Sequence, residues 1–161
     1  MITRLRPLDV NLVFEDRPYK LGETINLTVE LSARGDVEVR EGRVDLVCQV
    51  SWTEVSTAMV AVSSGAVFGP LGAVSAVSTP RIPRQLHKEY NESYVHSCAI
   101  FLEDTRLEPD TNCSYEFGID IQEEPPTRAN EATVRWNLVT VVDVARARDV
   151  KTRRAVKITV D

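Results

Sequence analysis

A chain of 161 residues is long enough to bury one hydrophobic core without disulfides or metal, and no second domain is needed to account for it. Its formal charge of -5 and pI near 5.1 make the surface mildly repulsive to nucleic acid, so no nucleic-acid partner is expected, and contact with an anionic membrane surface would need a local basic patch. Cys48, Cys98 and Cys113 form no CxxC pair and point to neither a disulfide framework nor a zinc knuckle, and residues 1–9 lack an apolar signal-peptide core, so a cytoplasmic protein is expected.

Taken in chain order, the dominant signal is period-two alternation, which on a pleated strand sends one set of side chains to a core and the other to water. Leu8, Val10, Leu12 and Phe14 alternate with polar residues, and after a break at Pro18 and Gly22 so do Ile25, Leu27, Val29 and Leu31. Val37 and Val39 predict a short third strand after the Gly35-Asp36 turn, and Val44, Leu46, Cys48, Val50 and Trp52 predict a longer one after Gly42. Residues 94–102 form a further strand, apolar on both sides. Cys113, Tyr115, Phe117, Ile119 and Ile121 alternate cleanly, as do Val134, Trp136, Leu138 and Val142, and finally Val156, Ile158 and Val160. About eight strands without a helical stripe predict an all-β, two-sheet antiparallel β-sandwich of immunoglobulin-like or arrestin-like type, with a closed barrel as the structural alternative.

Residues 55–80 differ in kind. They carry no charged side chain, are rich in Ala, Val, Ser and Gly, and hold Phe68-Gly69-Pro70-Leu71-Gly72 at their centre, before a polar segment over 81–92. The Gly-Pro break argues against a membrane span. A long inter-strand loop or β-hairpin is the plain expectation; the sharper one is an apolar loop that docks through Val67, Phe68 and Leu71 on a partner or a membrane surface.

The residues between the strands resemble a known family. Tyr19-Lys20-Leu21-Gly22-Glu23-Thr24-Ile25, followed by alternating Leu27, Val29 and Leu31, resembles the opening of arrestin-like domains, including bacterial sporulation-control proteins and Vps26-type retromer subunits. Phe117-Gly118-Ile119-Asp120-Ile121, then Pro125-Pro126-Thr127 and the run from Val134 to Asp143, resembles a later segment of the same family. The resemblance implies the N-terminal-type sandwich alone, because a typical arrestin has two in tandem. It also implies an adaptor or scaffold role in stress, sporulation-type or trafficking regulation. Glu123-Glu124 departs from the family's usual proline, and no phosphate-sensing lysine of the receptor arrestins finds a matching position.

Residues for chemistry are few. No GxSxG, HExxH, GxGxxG or GxxxxGK[ST] motif occurs, so no catalytic activity and no cofactor are expected. His96 and Cys98, two apart and so on one strand face, are the only pair that would suit a thiol–imidazole or metal site; packed or surface positions are the commoner use of such residues, and no metal is expected. Acidic pairs such as Glu103-Asp104 and Glu123-Glu124 read as solvated loops rather than calcium ligands. The salient charged feature is the run Arg146, Arg148, Lys151, Arg153, Arg154 and Lys157, opposed only by Asp149. Arginine makes paired hydrogen bonds to carboxylates and phosphates, so this run suits an acidic or phosphorylated segment or an anionic headgroup, while edge-strand charge against aggregation is the alternative. The sequence therefore points to a module that binds a protein partner; a peripheral membrane module, using the 55–80 loop and the basic run, is the second reading.

Overall fold

Alternating burial makes the first strands. In β1 (Leu8–Phe14) Leu8 and Leu12 point inward. In β3 (Thr24–Ala33) Ile25, Leu27, Val29, Leu31 and Ala33 do so, while the residues between them face outward. The computed structural model describes residues 6–61, 81–126 and 132–160. Its remaining strands are β2 (Tyr19–Lys20), β4 (Val37–Ala61), β5 (Arg81–Leu107), β6 (Thr111–Asp120), β7 (Thr133–Val144), β8 (Val150–Val156) and β9 (Ile158–Thr159). The chain divides into two compact units, one of Met1–Ser51 with Asn91–Asp161 and one of Trp52–Tyr90.

The first unit is a β-sandwich. One sheet has the order β1-β3-β6, with Leu12 opposite Val29 and Leu27 opposite Phe117. The other has the order β5-β4-β7-β8, with Leu46 opposite Leu138 and Trp136 opposite Val156. Both are antiparallel in these registers. Val44, Leu46, Cys48, Val50, Leu138 and Val142 supply the second sheet's buried face. Each such side chain contributes about 1.5–3 kcal/mol relative to an exposed one. The ion pairs among the described residues are mostly half-exposed and contribute little beside them. At one side of the sandwich, Phe101 of β5 meets Tyr115 and Phe117 of β6 at 5.5 and 5.4 Å between ring centroids.

Four details depart from the sequence reading. First, Val37–Val39 and Val44–Trp52 are one strand, because Gly42 does not break β4; a Cβ there would stand 2.7 Å from Phe101 Cζ, so the glycine makes room for that ring. The irregularity is a register shift between Val39 and Glu41. Second, the polar segment 81–92 belongs to β5. Third, the last strand is interrupted at Lys157, and β9 pairs in parallel with β2, Tyr19 opposite Ile158, so the sandwich is not wholly antiparallel. Fourth, in residues 94–102 the inward positions are His96 and Leu102, whereas Val95 and Ile100 are more than half exposed.

The described residues of the second unit, 52–61 and 81–90, are a two-stranded ribbon, the far part of β4 beside the near part of β5. The β4–β7 register ends at Ser51, so no third strand joins the ribbon among the described residues. Trp52 stacks on Tyr90 with ring centroids 5.3 Å apart, and the Lys88 ammonium lies 5.1 Å from the Tyr90 centroid. Residues 55–61 of the expected 55–80 loop are therefore strand, β5 begins just after it at Arg81, and residues 62–80 lie outside the described residues. Val67, Phe68 and Leu71 lie outside the described residues.

Candidate functional site

The basic run begins in the turn between β7 and β8. There the Ala145 N–H donates to the Glu38 carbonyl at 2.9 Å, and Arg146 adopts a left-handed backbone (φ 60°), unusual for a residue with a side chain. The segment entering β1 is held in place by the Arg34 N–H, which donates to the Pro7 carbonyl at 2.8 Å. These anchors bring Arg6 beside Arg146, Arg148 and Lys151 around an open cavity of about 960 Å³, with Asp149 the one acid in its wall.

Electrostatics sets this cavity apart from the neighbouring loops. Two nearby arginines are neutralised: Arg34 pairs with Asp9 at 2.7 Å, and the Arg106 guanidinium binds Asp36 through two nitrogens, holding that carboxyl below its usual range. Arg6, Arg146, Arg148 and Lys151 form no ion pair among the described residues. Four cations without an ion pair among the described residues, against the single acid Asp149 in the same wall, make a place where carboxylates or phosphates gain charge-assisted hydrogen bonds.

The rest of the run goes elsewhere, for a geometric reason. Successive residues of β8 face opposite ways, so Arg153 and Arg154 separate. Arg153 and Lys157, with Arg135 of β7, line a second, shallower hollow of about 560 Å³. Arg154 turns toward β1, where its guanidinium donates to the Leu12 carbonyl at 3.0 Å and lies 5.4 Å from the Phe14 ring centroid. Three of the six predicted residues thus share the main cavity, two share the second, and one joins the sheets. Arg6 was missed: it stands at the other end of the chain, and only the fold places it here.

His96 and Cys98 are not brought together as a reactive pair. His96 is buried, its Nε2 accepts the Gln122 N–H at 3.0 Å, and its ring meets Trp136 edge-on at 4.9 Å between centroids. Burial lowers its pKa, so the neutral ring is favoured. Cys98 is exposed, and desolvation together with its hydrogen bond to Asp45 pushes its thiol up to about 11, which keeps thiolate scarce at neutral pH. Among the described residues no group of three or more His, Cys, Asp or Glu side chains is placed to hold a metal ion, and no helix is long and apolar enough to cross a membrane.

The family-like segment near Tyr19 is a built turn. The Tyr19 hydroxyl donates to the Glu15 carbonyl at 2.8 Å, and the Glu23 carboxylate accepts the Lys20 N–H at 3.0 Å and Arg17 Nη1 at 3.3 Å. The Lys20 N–H chiefly, then Arg17, hold the Glu23 pKa down. Gly22, at φ 87°, donates its N–H to the Ile121 carbonyl, so the two family-like segments touch.

No family model matches the sequence, and no curated protein matches it. Among solved structures the chain is similar to Spo0M, the sporulation control protein of Bacillus subtilis, with a TM-score of 0.57 over 98% of this chain and 51% of that one, at 13% identity. The chain spans about half the length of that protein. At this identity the likeness shows the fold: an all-β sandwich of the arrestin-like kind.

Proposed function

We propose that the domain is a non-catalytic, cytoplasmic adaptor or scaffold module that binds an acidic or phosphorylated segment of a protein partner at the basic end of its sandwich. The observation that carries this reading is the convergence of Arg6, Arg146, Arg148 and Lys151 on one open cavity, with no ion pair to any of them among the described residues and Asp149 the one acid in the wall. An extended acidic segment fits the chemistry because arginine side chains grip carboxylate and phosphate oxygens in pairs and impose no demand for a deep apolar pocket. The fold likeness to a sporulation control protein supports a regulatory role of that general kind, by analogy, since one fold serves many functions.

The test is fluorescence anisotropy of labelled acidic and phosphorylated peptides against the full chain. Binding is expected to weaken with salt, and the double variant Arg148→Ala/Lys151→Ala is expected to lower affinity about tenfold. Affinity unchanged in that variant would remove the cavity from the account.

A further inference from the structure

The described side chains of the ribbon, those of 52–58 and 82–90, present a surface of exposed apolar and cationic residues. Ile82, Arg84, Leu86, Lys88 and Tyr90 are spaced by two along β5 and so share one face of that arm. Ile82 and Leu86 are 54% and 45% exposed, and Val55 on the other arm is 58% exposed. Arg84 and Lys88 stand between and beside these apolar side chains, also exposed. An isolated two-stranded ribbon is marginal in water and leaves both faces wet, so exposed apolar residues at this density call for a covering surface.

Charge identifies the cover. From Val55 to Lys88 the sequence contains no Asp or Glu, although the whole chain carries a formal charge of -5; Glu54 and Glu89 bracket this stretch. The Trp52–Tyr90 stack marks one end of the described ribbon. Paired aromatics, long cationic side chains and short apolar runs in alternation are the composition that settles at a lipid–water boundary, with ammonium and guanidinium groups at the headgroups and apolar side chains below them. The basic cavity of the sandwich offers cations with smaller apolar company: Pro7 and Ala147 are the exposed apolar residues of its wall, and Val150 is buried.

We propose that the ribbon is a membrane-surface contact, taking an anionic lipid headgroup layer through Arg84 and Lys88 and its acyl boundary through Ile82 and Leu86. This is independent of the peptide-binding proposal, and it moves the electrostatic tether from the C-terminal basic run to the β5 arm.

The experiment is co-sedimentation of the full chain with vesicles of phosphatidylcholine alone or mixed with phosphatidylserine, at low and high salt. Binding to the mixed vesicles at low salt is expected, with little to phosphatidylcholine alone. Arg84→Gln/Lys88→Gln should lower the partition coefficient by about 30-fold, and Ile82→Ser/Leu86→Ser should lower it further at high salt, where the apolar contact remains. Circular dichroism and thermal melts of each variant establish that the sandwich stays folded, and Arg148→Ala/Lys151→Ala should leave vesicle binding unchanged. The proposal is overturned by no binding to mixed vesicles, by binding that the ribbon variants leave intact, by loss of binding in the Arg148/Lys151 variant alone, or by equal capture by soluble polyglutamate through the same residues, which would mark a protein partner.

Discussion

The Arg154 guanidinium donates to the Leu12 main-chain carbonyl and lies over the Phe14 ring, tying the edge strand of one sheet to the edge strand of the other. One member of the basic run is therefore structural. Its removal leaves the carbonyl to water and uncovers the ring, so Arg154→Ala is expected to destabilise the fold by about 1 kcal/mol, a modest cost because the pair is only partly buried. Urea denaturation measures this, and peptide affinity at the basic cavity should be unaffected; a variant as stable as the parent would deny Arg154 that role.

The turn at Gly22 makes a second expectation. Its φ of 87° disfavours any side chain, and a Cβ would stand 3.3 Å from Glu123 Cγ. Gly22→Ala is expected to cost about 1–2 kcal/mol in a denaturation experiment, and Gly35→Ala, with open space around its Cβ, less. Equal costs at both positions would show that the backbone conformation at Gly22 is not what matters.

Much of this architecture is legible in residue order, and the exceptions have physical causes. Strands with one wet face declare themselves: Ile25 to Leu31 and Val134 to Val142 alternate because water on one side and a core on the other demand it. The ribbon arm over 82–90 escapes that logic, because both its faces are exposed and nothing forces its polar and apolar residues apart. Gly42 reads as a break when seen alone; its neighbour Phe101 comes from β5 and no local pattern reveals it. The basic run was visible as charge, but its division among two hollows and a staple to Leu12 depends on strand alternation and on which sheet edge stands opposite. Arg6 carries no local signal at all.

His96 links the core to pH. Burial holds its folded-state pKa below the ordinary value of 6.5, and the nitrogen that accepts the Gln122 N–H cannot take a proton without losing that bond. As pH falls the unfolded chain protonates first. The contribution to stability is therefore complete above about pH 6.5 and is lost progressively below it, toward the depressed folded-state pKa. His96→Gln keeps an acceptor but cannot titrate in this range. Melting temperatures recorded from about pH 7.5 to about pH 5 should fall more steeply for the parent than for this variant; parallel curves would assign the acid sensitivity to other groups.

The most direct measurement of the basic end as a recognition surface is a heteronuclear NMR titration of the isotope-labelled chain with an acidic phosphopeptide. The amides of 146–151 and of Arg6 should shift together, saturably and with one apparent affinity, while those of the β1-β3-β6 outer face stay still. Shifts confined to that face, or scattered over the surface without saturation, would contradict the account.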